Sequence, residues 1–126
     1  MADTKKPSIR LLVWVGNSLK NIRSFPEEAQ KLIGDQIQLI QFGGMPKDAK
    51  PFKGVGSGVF EIALRHDTNA YRAVLAVQLA DKIYVLHAFQ KKSPKGIKTA
   101  QSDIDLIRQR YKEAQEHTAH AKTKKP

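Results

Sequence analysis

The sequence predicts an α+β fold. It consists of a small, twisted, mainly antiparallel sheet of about four strands, two N-terminal helices packed on one face, and a C-terminal helix. Three observations lead there. Three strand patterns follow one another between Val59 and Lys92, joined by links short enough to make antiparallel neighbours. Two helix-period segments precede them, and a third follows from Thr99. A separate apolar run at 9–15 supplies a further strand. The chain of 126 residues fits one domain, expected over 9–116, with a flexible tail at 1–8 and a basic, disordered tail at 117–126.

The run I-R-L-L-V-W-V at 9–15 has the β-branched and aromatic content of a buried strand, and Gly16-Asn17 breaks it. Residues 18–24 form a short helix with Leu19 and Ile22 on its apolar side. Ser24-Phe25-Pro26-Glu27 then reads as a helix start, with Ser24 as cap and Pro26 in the first turn. Ala29, Leu32, Ile33, Ile37 and Ile40 follow at helical spacing, and Gly43-Gly44 ends the run. Residues 45–58 are too rich in Gly and Pro for a regular element and read as a loop carrying Lys47, Lys50 and Lys53.

In the first strand of the trio, Phe60, Ile62 and Leu64 alternate with Val59, Glu61, Ala63 and Arg65. In the second, Tyr71, Ala73, Leu75 and Val77 oppose Arg72, Val74, Ala76 and Gln78. The third, Ile83 to Phe89, is apolar on both faces and belongs inside the sheet. A basic loop at 93–98 leads to a helix capped at Thr99, with Ile104, Ile107, Tyr111 and Ala114 on its buried face.

The net charge of +10 favours nucleic acid or an acidic protein surface as partner. The absence of cysteine excludes disulfides and thiolate metal sites and suits a reducing cytoplasm. No run is long enough to span a membrane, and M-A-D-T-K-K-P-S lacks the apolar stretch of a secretory signal. Phosphate-loop, dinucleotide, zinc-protease and serine-hydrolase motifs are all missing, and no cofactor is implied.

The chemistry therefore rests on cations. Arg65 and Arg72 flank one hairpin turn and lie close in space, and the guanidinium fork suits phosphate oxygens. The structural alternative is an ion pair of either arginine with Glu61. Lys91 and Lys92 leave the third strand just after Phe89, so several segments bring charge to one end of the sheet. RNA can be cut without a metal when a group takes the 2′-OH proton and the charge growing on the phosphate is stabilised. His66, Glu61 or a lysine of lowered pKa could move that proton, and the sequence does not choose among them. His66 should be exposed at its strand end. His87, inside an apolar strand, reads as a packed core histidine.

The segments G-x-F-E-I-x-L-R at 58–65, A-Y-R-A-V at 70–74 and V-L-H-A-F-x-K-K-S at 85–93, followed by K-T at 98–99, resemble the RelE/ParE toxin superfamily. The nearest likeness is its phage-derived HigB-like branch. The resemblance spans roughly 9–114 and implies a toxin of a type II toxin–antitoxin pair that cuts mRNA on the ribosome. By position it makes Arg65 a catalytic arginine and puts Lys91 and Lys92 near the scissile phosphate. It also places Lys50 and Lys53 in a basic loop that holds mRNA, and Arg72 in the Y-R motif. With Phe89 these complete the candidate RNA contacts, and His66 joins the candidate catalytic set. A late Tyr or His often serves the family as acid or base, and here Tyr111 falls on a buried helix face. The implied partners are the ribosome, mRNA and a helix-turn-helix antitoxin. Two other readings stay open: a ParE-like inhibitor of DNA gyrase, and a nucleic-acid-binding protein that cuts nothing.

Overall fold

The computed structural model describes residues 9–91 and 99–123, with side chains through Ala119. The elements run β1 (Leu11–Trp14), α1 (Ser18–Arg23), α2 (Glu27–Gln41), β2 (Ala49–Pro51), β3 (Val59–His66), β4 (Asn69–Leu79), β5 (Lys82–Lys91) and α3 (Gln101–Thr123). The sheet order is β1-β5-β4-β3-β2. Neighbours are antiparallel except β1, which lies parallel to β5.

Strand alternation divides the core into two layers. Ile62, Tyr71, Ala73, Leu75, Val77, Ile83 and Val85 face α1, α2 and the link between them, which contribute Ile22, Phe25, Ala29, Ile33, Ile37 and Ile40. On the opposite face Val59, Val74, Ala76, Tyr84 and Leu86 meet Ile107 and Ala114 of α3. Ile33, Ile62, Leu75, Ile83 and Ile107 are fully buried, and each contributes about 1.5–3 kcal/mol of transfer free energy.

The structure corrects several expectations. The described residues form five strands, because Ala49–Pro51 pairs with β3 inside the segment read as loop. An edge strand tolerates Pro51, since its missing N–H can face away from the ladder. The run at 9–15 is not a buried strand. β1 is an edge strand, and Ile9 and Leu11 are 56% and 66% exposed. Ser24 does not cap α2. It is the C-cap of α1, its hydroxyl donates to the Asn21 carbonyl at 2.6 Å, and Pro26 occupies the α2 cap. At α3 the Asp103 and Ile104 amides donate to the Ala100 carbonyl, so Thr99 lies one residue too early.

The helix α3 also runs on to Thr123, through a stretch the sequence assigned to a disordered tail. Its last described turns are anchored by Tyr84. That phenol is only 1% exposed, and its hydroxyl bonds His117 Nδ1 at 2.8 Å and Thr118 Oγ1 at 2.9 Å. A buried hydroxyl needs such partners, and it finds them only if the helix continues.

Both long hairpins close with two-residue turns, Asp67-Thr68 and Ala80-Asp81. Asp67 and Ala80 adopt φ of 57° and 56°, a left-handed conformation that an aspartate tolerates better than an alanine.

Candidate nucleic-acid interface

Register on three neighbouring strands arranges the functional side chains in rows. Residues directly opposite one another share a face of the sheet. Arg65 lies opposite Ala70, which lies opposite Lys91. The next row is Ala63, Arg72 and Phe89. The third is Lys50, Glu61, Val74 and His87, reaching out to the edge strand β2. These rows continue the face that α3 covers, and the first turn of α3 stops over the third row, where Asp103 Oδ1 meets His87 Nε2 at 2.8 Å.

The two outer rows form a basic platform with small residues at its centre. Arg65 is exposed, as is Lys50 of the third row, and Ala63, Ala70, Phe89 and Lys91 are half-buried. Strand spacing sets the Arg65 and Lys91 backbones about 10 Å apart with only the Ala70 methyl between them. A phosphate group fits between long cationic side chains over such a floor.

Glu61 and Arg72 pair across β3 and β4, with side chains only 14% and 19% exposed. Of the two arginine pairings weighed in the sequence, the structure makes this one. Arg72 Nε and Lys91 Nζ are both shielded from water and have no hydrogen-bond partner among the described residues. Burial, with the Arg72 charge beside it, pushes the Lys91 amine below its ordinary value, and Glu61 opposes this in part. Two shielded cationic groups with unused donors lie beside the exposed Arg65 on this face, which favours an anion there, and the lysine is the one suited to giving or taking a proton.

The other candidates fall elsewhere. His66 follows Arg65 directly and therefore points to the opposite face, where its Nδ1 lies 3.3 Å from Glu28 Oε1 of α2. Its side chain is 20% exposed, against the expectation of an open strand end. It is not brought together with Arg65, Arg72 and Lys91. Lys53 is exposed in the loop after β2, where the Gly54 carbonyl accepts Arg108 Nε of α3 at 3.0 Å. Lys92 lies outside the described residues. Tyr111 is half-buried, and its ring closes on Gly56, where an added Cβ would fall 2.6 Å from the hydroxyl.

The sequence reading missed Arg110, which is 7% exposed beneath α3. Its Nη1 donates to the Leu86 carbonyl at 3.0 Å and approaches His87 Nδ1 at 3.4 Å, and its Nη2 donates to Asn17 Oδ1. Gly16 makes room for it: φ there is +59°, and an added Cβ would sit 2.8 Å from Arg110 Nε. Burial pushes the His87 pKa down against the opposing bond to Asp103, so the ring is neutral near pH 7. The spacing of Ile107, Arg110, Tyr111 and Ala114 was the available signal, since all four share one face of a helix.

A family model described as phage-derived Gp49-like protein matches residues 20–112. Among solved structures the chain is similar to a doubly substituted form of the E. coli toxin RelE in the free state, with a TM-score of 0.56 and 15% identity. That likeness covers 83% of this chain and 97% of the other. No curated protein matches.

Proposed function

The chain belongs to the family of phage-derived Gp49-like proteins, and from that premise we propose that it is the toxin of a type II toxin–antitoxin pair and cuts mRNA on the ribosome. The observation that carries this reading is the pair of rows Arg65-Ala70-Lys91 and Ala63-Arg72-Phe89 at the end of one sheet face beyond the first turn of α3. Several cations converge there around a shallow floor, and an aromatic ring stands among them. That combination suits a single RNA strand. The fold shared with RelE supports the same reading.

In this mechanism the RNA 2′-oxygen attacks the adjacent phosphorus, the bond to the 5′-oxygen breaks, and a 2′,3′-cyclic phosphate and a 5′-hydroxyl result. Arg65 and Arg72 balance the charge that grows on the phosphate oxygens. Lys91, whose amine is held below its ordinary value by burial and the Arg72 charge, takes the 2′-hydroxyl proton, and the departing 5′-oxygen takes a proton from water. Lys50 and Lys53 hold the flanking backbone, and Lys92 adds charge next to Lys91. An antitoxin of the helix-turn-helix type would cover this face with acidic side chains, which speeds association as well as selecting the partner.

The test is mRNA integrity in a cell-free translation reaction, with wild type and Arg65→Ala compared. Cleavage that depends on the ribosome and disappears in the variant is the expected result. Intact mRNA together with inhibited gyrase supercoiling would replace this function with the ParE-like one. Intact mRNA and unaffected gyrase would leave simple binding.

A further inference from the structure

Phe89 is an aromatic residue on an interior strand that nonetheless remains partly exposed. One side of its ring is occupied: the His87 ring stacks on it with centroids 5.1 Å apart and planes 19° from parallel. The His87 ring is itself fixed from two directions, by Asp103 at 2.8 Å and by Arg110 at 3.4 Å. Arg110 in turn reaches Leu86 and Asn17. A buried histidine with both ring nitrogens engaged does not turn freely, so the ring stacked on it is held as well.

Around Phe89 the platform is cationic. Arg72 is directly opposite it on β4, and Lys91 is two residues further along the same face. Two residues of strand span about 6.6 Å, close to the distance between a base and a phosphate of the same nucleotide. We propose that Phe89 is a stacking platform for one unpaired nucleobase of RNA, and that His87, Asp103 and Arg110 are the positioning residues that hold it. The proposal rests on this face being the RNA site, and it adds the group that takes the base to those that take the phosphate. It also gives the His87 cluster a purpose beyond packing. An aromatic surface ordered in advance loses less conformational freedom on binding, and stacking tolerates any base because every base has a π-face.

The experiment uses a 2′-O-methyl trinucleotide with 2-aminopurine at its middle position, which cannot be cut by 2′-oxygen attack. It is titrated into the full chain up to millimolar concentration. The readouts are 2-aminopurine fluorescence and the proton shifts of the Phe89 ring. Stacking predicts quenching and upfield ring shifts, binding about 5- to 100-fold weaker in Phe89→Leu, and recovery in Phe89→Tyr. His87→Leu keeps an apolar side chain but removes the stack and both polar contacts. It should lessen the quenching while an abasic trinucleotide binds as before, with amide spectra reporting the fold of each variant.

Absence of binding at millimolar trinucleotide, or a Phe89 ring unshifted at saturation, would overturn the platform even if no variant folded. Equal quenching in His87→Leu would overturn the positioning role. Quenching without any mRNA cleavage on the ribosome would count against the endonuclease and not against the platform. Cleavage with an unshifted ring would do the reverse.

Discussion

The Glu61–Arg72 pair sets stability against binding, and Glu61→Gln separates the two. The carboxylate is the partner of Arg72 Nη1, and Arg72 Nε has no partner among the described residues. Removing the negative charge leaves a largely buried guanidinium facing a neutral amide. Cutting one member from a fully buried pair costs about 3–5 kcal/mol. Here both side chains keep some contact with water and Gln retains an acceptor, so the expected loss is about 1–3 kcal/mol. For a domain of this size that lowers Tm by about 3 to 6 °C per kcal/mol. The same change raises the charge of the proposed RNA face by one and releases Arg72. One additional phosphate contact steepens the salt dependence of single-strand binding by about 0.7 in log–log slope. Thermal unfolding and anisotropy with a short single-stranded RNA at several salt concentrations give both numbers. A variant that melts lower and binds tighter is expected. Unchanged or weaker RNA binding would refute the idea that Glu61 competes with phosphate for Arg72.

Three further outcomes follow from the same geometry. The Lys91 amine titrates below its ordinary value of 10.5, so single-turnover cleavage should rise with pH through an inflection below that point. Lys91→Arg should abolish the inflection and most of the rate, and an unchanged pH profile would remove Lys91 from proton transfer. The folded-state pKa of His87 lies below 6.5, so between the two values the unfolded chain binds more protons and stability falls as pH drops through that window. Urea unfolding at several pH values should show that fall, and His87→Leu should flatten it. Ala80 holds φ of 56° in a two-residue turn, so Ala80→Gly should raise stability by up to about 1 kcal/mol, measurable as a higher urea midpoint.

Much of this arrangement was legible in the residues because a strand has a period of two. Alternation placed Phe60, Ile62 and Leu64 together and set Glu61 and Arg65 on the other face, as the structure has them. The same rule already excluded His66 from the Arg65 face. Chemical suitability drew attention to that histidine, and parity decides against it. Elements that depend on long-range partners could not be read. The strand β2 has three residues and ends in a proline, so only its pairing with β3 reveals it. The continuation of α3 depends on the buried Tyr84 hydroxyl, which lies 33 residues before His117 in the chain. The Arg110 cluster joins β5, α3 and the loop at Asn17, and a charged residue inside an apolar helix face gives no local sign of those partners.

The central claim is chemical, and product analysis on ribosome-bound mRNA tests it most directly. An mRNA carrying one 2′-deoxynucleotide at the cut position is compared with its all-ribose form, and the new 3′ ends are identified by mass spectrometry. Attack by the 2′-oxygen predicts a 2′,3′-cyclic phosphate from the ribose form and protection of the deoxy form. A 3′-hydroxyl with a 5′-phosphate, or equal cleavage of both RNAs, would contradict the account.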